Sequence, residues 1–391
     1  MKFINFGKID RKILIPIFGG IVMLIYQYIF EFFPKNEIIS QNPFLLNIYF
    51  SIGMIFALIP YLIFKNSVKN ENISYNHSNI KKDESKLDIE LIYDDTSNTI
   101  KTNKYRYIIL ASIFDFMQTF LYNLFTIKCV YNTWFLDITF ISLFSYLFLK
   151  MKLYKHQYIS MIIIIIFGFG LNIIEYFKFG EIENKIDLFE IIMKLISEIF
   201  FSLIVVISKY NMEKNYCSPY EICVWEGAIT LFLHIICLIV INLIGPTIVE
   251  VKYPDNFFEY FGNYNLYDFF ICLVIIIISI IYNILFFLTC NFFSPFHILI
   301  TSIIEECYNY FQINEDLTLN VLGITTLILI GFTFLIFIEI IELNICDISF
   351  YTKNNIVKRS KDESFLGNEK VTERNEEINE EEEEKSNFSN P

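Results

Sequence analysis

Apolar residues along this chain gather in blocks instead of recurring at an amphipathic period. Ten blocks follow one another, at about 12–30, 44–64, 107–127, 131–149, 157–177, 187–209, 218–244, 266–289, 295–312 and 319–343. Most run for about 18 to 25 residues, the length an α-helix needs to cross about 30 Å of hydrocarbon. Inside lipid no water is at hand for the backbone, so each block must pair its own amides and carbonyls, and only a helix does that within one segment. The pattern predicts an all-α integral membrane protein with ten transmembrane helices. Two polar stretches interrupt it: residues 65–106, with NSVKNENISYNHSNIKKDESK, and the tail 344–391. Both are expected to be disordered.

Lysine and arginine orient the spans, because positive residues stay on the cytosolic side. With a cytosolic N-tail at 1–11, the cytosolic pieces are that tail, the loops 65–106, 150–156, 209–217 and 290–294, and the C-tail. Together with Lys12 at the start of the first block they carry 24 of the 30 basic residues. The opposite loops carry five, and Lys194 lies within a span. Both termini are therefore expected in the cytosol. The start, MKFINFGKIDRK, has no short apolar region followed by a cleavage site, so the first block is expected to remain as a spanning anchor.

The chain is 54% hydrophobic over its 391 residues, which suits lipid as its main partner. Its net charge of −13 is concentrated toward the end, where residues 344–391 hold twelve acids against seven bases. This balance excludes nucleic acid as a partner and marks the tail as solvated. The eight cysteines form no CxxC pair and no metal-ligand spacing, so neither a disulfide framework nor a metal site is expected. No Gly-rich phosphate loop appears, and no cofactor is implied.

An internal repeat links the two halves. LYNLFTIKCVYNTWFLDI (121–138) lies over IYNILFFLTCNFFSPFHILI (281–300), pairing Tyr122-Asn123 with Tyr282-Asn283, Cys129 with Cys290, and Thr133 with Ser294. SMIIIIIFGF (160–169) lies over GITTLILIGF (323–332), pairing Ser160 with Gly323 and Gly168-Phe169 with Gly331-Phe332. Spans three to five thus correspond to eight to ten, and the unit is five spans long. An odd number of spans re-enters the membrane upside down, which predicts inverted repeats, 12–177 and 187–343, with a substrate site near the midplane between them.

The segment LASIFDFMQTFLYNLFTIKCVYNTWFLDITFISLFSYLFLKMKLYKHQYISMIIIIIFGFGL, the connection KYNMEKNYCSPYEICVWEG and the pair FFSPFHILITSIIEE and LTLNVLGITTLILIGF resemble the drug/metabolite transporter superfamily, in its EamA-like and solute-carrier-35-like branches. The resemblance covers roughly residues 12–343. It implies ten helices in two inverted five-helix halves around a central cavity, and secondary transport of a small metabolite such as a nucleotide sugar or an amino-acid-like or drug-like solute. It also implies an intracellular or plasma membrane. In that family the fifth and tenth spans pack at the periphery, sometimes between protomers, so it leaves room for a homodimer; Gly168, Gly170, Gly323 and Gly331 suit such close approach.

Polar groups inside the spans are the candidates for solute binding. A charge at the bilayer centre costs at least about 2.5–3.5 kcal/mol, so it faces protein or water and often marks a pathway. Asp115, Gln118, Thr119, Tyr122 and Thr126 fall on one side of span three. Span four offers Thr133 and Asp137, with outer water as the alternative surroundings for Asp137. Span eight offers Ser279, Tyr282, Asn283 and Cys290 without an acid. In span nine Ser294, His297, Thr301 and Glu305 recur at three- and four-residue steps, with Glu306 beside the last. The competing role for the Tyr-Asn pairs is a helix–helix hydrogen bond. Glu305 is open between carrying a coupling proton, neutralising a cationic solute and balancing Lys194. Glu190, Lys194 and Glu198 in span six suit intrahelical ion pairing. Glu226 is expected either at the same cavity or against Lys209, and His234 in helix packing. Two other readings remain: a non-transporting receptor or scaffold on this fold, and an intramembrane lipid-modifying enzyme. The dispersed His77, His156, His234 and His297, without HExxH or GxSxG, tell against an enzyme.

Overall fold

The computed structural model describes residues 4–6, 13–32, 43–63, 87–122, 133–179, 188–244, 266–312 and 317–343. Among them are ten α-helices: α1 Leu14–Phe32, α2 Pro43–Phe56, α3 Leu87–Leu121, α4 Asp137–Leu149, α5 Lys155–Phe179, α6 Leu188–Lys214, α7 Pro219–Ile244, α8 Leu266–Phe292, α9 Leu299–Gln312 and α10 Leu317–Phe337. Six stretches are long and apolar enough to cross a membrane: Leu46–Ile63, Lys155–Ile174, Phe189–Lys214, Pro219–Val240, Phe269–Phe292 and Asn320–Phe337. The chain has the character of a multi-pass membrane protein. Two expected spans, the first and fourth, appear as the shorter apolar helices Leu14–Tyr26 and Trp134–Leu149. The ninth is also short, since the 14 residues of α9 rise only about 21 Å.

One expectation changes. The stretch 65–106 is helical from Leu87 onward, as the N-terminal part of α3. A helix already nucleated by the apolar run from Tyr107 adds further turns at little cost, so polar residues ahead of it can continue the ladder. The acidic tail 344–391 lies outside the described residues.

Local sequence explains several boundaries. Pro43 and Pro219 stand at the first positions of α2 and α7, where a missing amide is no loss. Pro60 cannot donate to Phe56, and the helix of the second span breaks at Ala57 before resuming to 63. Lys150 closes α4 in the left-handed conformation, φ 55°, with its amide on the Ser145 carbonyl.

The chain forms two compact units. Among the described residues, the smaller comprises 4–6, 153–162 and 333–343. In it β1 (Ile4–Phe6) pairs antiparallel with β2 (Ile341–Leu343), Ile4 opposite Leu343. Gln157 Nε2 donates to the Phe337 carbonyl at 3.1 Å, and His156 Nε2 stands 3.3 Å from Glu339 Oε1.

The larger unit, Asp10–Lys152 and Ile163–Phe332, holds the helical bundle. Several of its contacts correspond when each helix is exchanged for the one five places along, while those of α8 with α7 and α6 have no comparable counterpart among the described residues. α3 packs on α6 as α8 packs on α1; α4 packs on α6 as α9 packs on α1; α3 packs on α7 as α8 packs on α2; and α2 packs on its own counterpart α7. Local structure repeats too. A 3-10 turn leads into α4 (Trp134–Leu136) and another into α9 (Pro295–Ile298). The residues aligned in sequence, Thr133 and Ser294, stand directly ahead of these turns and accept equivalent backbone bonds, from Leu136 at 2.9 Å and from His297 at 3.1 Å.

α2 packs closely against α8 and α7. Ile48 and Tyr49 bury against Ile271, Cys272 and Ile275 of α8. A Cβ at Gly53 would meet Ser279 Oγ at 2.5 Å, and one at Gly227 would meet Met54 Cβ at 2.4 Å. Glycine at these two positions permits the close approach of α2 to α8 and α7.

Candidate functional site

The larger unit carries acids on five of its helices, Asp115 (α3), Asp137 (α4), Glu198 (α6), Glu226 (α7) and Glu305 (α9); Asp137 and Glu226 are buried and the other three partly buried. Three groupings can be separated by their contacts.

The first joins α4 and α6. Asp137 is only 2% exposed, and its carboxyl hydrogen-bonds that of Glu198. Thr133 Oγ1 donates to Glu198 Oε1 at 2.9 Å, and Ser202 Oγ donates to Asp137 Oδ1 at 3.4 Å. Lys194, one turn before Glu198, adds a positive charge within electrostatic range. The outer-water alternative for Asp137 is thereby removed. Glu198, expected in an ion pair along its own helix, makes its hydrogen bonds to Thr133 and Asp137.

The second surrounds Glu305. The Tyr26, Tyr122 and Tyr282 hydroxyls, from α1, α3 and α8, all lie within range of its charge, as does Glu198. Three of the sequence candidates therefore converge, and Tyr26 joins them. Tyr122 is half exposed, at 50%. Tyr26 went unmarked because one tyrosine in an apolar block has no periodic signal to set it apart.

The third lies between α3 and α7. Asp115 and Glu226 interact electrostatically, and Cys223, one turn before Glu226, is a neighbour of both. Asp115 also lies within range of Tyr282, which ties this grouping to the second. His234 braces the same helix pair: Nδ1 donates to the Thr230 carbonyl at 2.8 Å, and Nε2 meets Thr119 Oγ1 at 3.1 Å. The Nδ1 bond fixes the tautomer of the neutral ring and leaves Nε2 an acceptor beside Thr119, whose hydroxyl also lies 2.9 Å from the Asp115 carbonyl, to which it donates. Glu226 does not pair with Lys209. That lysine donates to the Asn291 carbonyl at 3.1 Å and to Glu213 Oε1 at 3.2 Å.

The remaining candidates stay apart from the acids. Asn283 Nδ2 donates to Ser279 O at 2.9 Å and Ser279 Oγ at 3.0 Å, and Ser279 Oγ donates to the Phe50 carbonyl at 2.8 Å. This is the helix-bracing role. Thr301 donates to the Ile298 carbonyl on its own helix, and His297 Nδ1 bonds Ser294 Oγ at 2.9 Å. Gln118 sits on α3, where its carbonyl accepts from Ser197. Thr126 and Cys129 lie outside the described residues.

At one end of the bundle a charged cluster closes α3, α6 and α7 together. Lys104 Nζ reaches Glu221 Oε2 at 2.6 Å, and Asn211 Nδ2 donates to the Lys104 carbonyl at 3.4 Å. Burial lowers the lysine pKa, but the Glu221 hydrogen bond and charge outweigh it and the net shift is upward. Burial, then the Glu221 charge, pushes the neighbouring Cys217 thiol up to about 12. No group of three or more metal-ligating side chains occurs among the described residues. No protein-family model and no curated protein sequence matches this chain.

Proposed function

We propose that this chain is a secondary transporter of the drug/metabolite transporter type, built as two inverted five-helix repeats, which moves a small polar metabolite by alternating access. The observation that carries the reading is the convergence of Asp115, Glu226 and Glu305 with Tyr26, Tyr122 and Tyr282 inside an apolar bundle. Each acid costs free energy to place in lipid, and simple helix packing needs none of them. A route for a polar solute does need them. The partial correspondence of the packing supports the two repeats, because α3 and α4 contact α6 as α8 and α9 contact α1, and α3 contacts α7 as α8 contacts α2. The β1–β2 ladder supports an even number of crossings, since it sets residues near both ends of the chain side by side.

The test is uptake of a metabolite panel by purified protein in liposomes, with and without a pH gradient, beside an Asp115→Asn variant and empty liposomes. Saturable uptake is expected for the protein, reduced at least about tenfold by the variant, the loss produced by about 1.4 kcal/mol of binding or barrier energy. Equal transport by both proteins would remove Asp115 from the mechanism. No uptake above empty liposomes for any solute would remove transport.

A further inference from the structure

We propose that the Asp115–Glu226 pair between α3 and α7 is a recognition site for a small protonated amine, so that the solute of the transporter proposed above is an organic cation and not a nucleotide sugar. The cargo half of this statement rests on the transport reading; the site does not.

Glu226 is 1% exposed, and its Oε2 has no hydrogen-bond partner among the described residues. A buried carboxylate oxygen without a donor is unstable by itself and calls for one. The group whose charge it meets is Asp115, a second acid, which deepens the deficit. The bases in the neighbourhood are engaged elsewhere. Lys209 holds Asn291 and Glu213, and both ring nitrogens of His234 are bonded to Thr230 and Thr119. The thiol of Cys223 donates to the Met54 carbonyl at 3.6 Å. What the site lacks is positive charge with N–H donors.

An ammonium group supplies both. It carries three donors in a tetrahedral spread, enough to bridge carboxylates on facing helices. A hard metal ion fits less well, because two carboxylates offer at most four oxygens where Ca²⁺ or Mg²⁺ takes six or more. Aromatic groups lie nearby: Phe116 packs edge-on to His234 on the same helix pair, and the Tyr282 hydroxyl lies within electrostatic range of Asp115. Rings beside a carboxylate pair accept the cation and its apolar body together. A phosphate-bearing solute would meet like charge at the same place.

The experiment measures binding to purified full-length protein in detergent, by isothermal titration and thermal shift. Putrescine, tyramine and lysine are the amine probes and UDP-glucose is the anionic control. Wild-type protein is expected to bind at least one amine and not UDP-glucose. Glu226→Gln and Asp115→Asn, tested separately, are each expected to weaken that binding at least tenfold. Without ligand, Glu226→Gln is expected to melt at or above the wild-type temperature, since it replaces a buried carboxyl whose Oε2 has no hydrogen-bond partner among the described residues, and this shows that the variant is folded. Failure of all three amines to bind, undiminished binding by both variants, or a shift produced by pH alone without any amine would overturn the site. Uptake of UDP-glucose with no amine binding would overturn it while leaving transport intact. Amine binding without uptake would leave the site standing and overturn the transport reading.

Discussion

The contact between α2 and α7 gives the sharpest mechanical prediction. A methyl group added at Gly227 would lie 2.4 Å from Met54 Cβ, 2.9 Å from the Ser51 carbonyl oxygen and 3.1 Å from the Ile55 nitrogen. Two of these three obstacles are main chain of α2 and cannot rotate aside, so Gly227→Ala must push the helices apart. Overpacking of this kind costs about 1–3 kcal/mol. Parting the helices also strains the 3.2 Å bond from Thr230 Oγ1 to Ser51 Oγ, worth about 1 kcal/mol. Alanine's better helix propensity returns about 1 kcal/mol. The net expectation is a loss of about 1–3 kcal/mol. Gly170, on α5, is the control, because nothing lies within 4 Å of a Cβ there. Gly170→Ala should gain up to about 1 kcal/mol from propensity alone. Thermal unfolding in one detergent, followed through exposure of the buried Cys223 and Cys290 thiols, compares the two variants directly. Gly227→Ala should melt several degrees below wild type and Gly170→Ala at or above it. Equal melting temperatures for the two variants would refute the close approach of α2 to α7.

The end cluster and the α8 brace add two further predictions. Lys104→Met should destabilise the protein by about 1–2 kcal/mol, because Glu221 then keeps a part-buried charge without its 2.6 Å partner. The folded-state pKa of Lys104 lies above its ordinary value, so the ion pair is fully stabilising below about pH 10.4 and is lost as pH rises through the folded value. The melting-temperature gap between wild type and Lys104→Met should therefore hold from pH 8 to pH 10 and narrow only above that; a gap that closes by pH 9 would contradict the assignment. Asn283→Ala should lower the melting temperature by the equivalent of about 1 kcal/mol, for the bonds to Ser279. An unchanged melting temperature would show that the brace carries no stability.

Much of the helical layout was legible in the chain, because a helix in lipid announces itself by length and apolarity alone. The alignment of Thr133 with Ser294 was legible for a related reason. Residues that close the same backbone turn keep the same place in the order of elements, and both stand ahead of a 3-10 turn. Partners across helices were not legible. The spacing of Glu190, Lys194 and Glu198 correctly puts them on one face, yet that face meets α4, and Glu198 bonds Thr133 and Asp137. Spacing within a helix says which residues are neighbours along it and nothing about the helix opposite. The same gap hid Tyr26 and left Glu226 with two candidate partners. The helical start at Leu87 was missed for another reason: residues 87–106 are polar enough to read as a loop, while their continuation from α3 depends on a nucleus farther along the chain.

The two seams related by the packing exchange differ in chemistry while agreeing in geometry. Where α8 meets α2, Ser279 donates to the Phe50 carbonyl and Gly53 lets the backbones close on each other, so every polar group named there is satisfied within the protein. Where α3 meets α7, the equivalent seam holds Asp115 facing Glu226 and a carboxylate oxygen without a donor. Stability alone would favour the first solution in both places, since an unpartnered buried acid destabilises whatever contains it. Keeping the second at one seam only is sensible if something outside the chain completes it. A molecule with two interchangeable halves has no use for such a difference. In the transport reading proposed above, one that must grip an asymmetric solute at a fixed point does, with the open seam as the place of the grip.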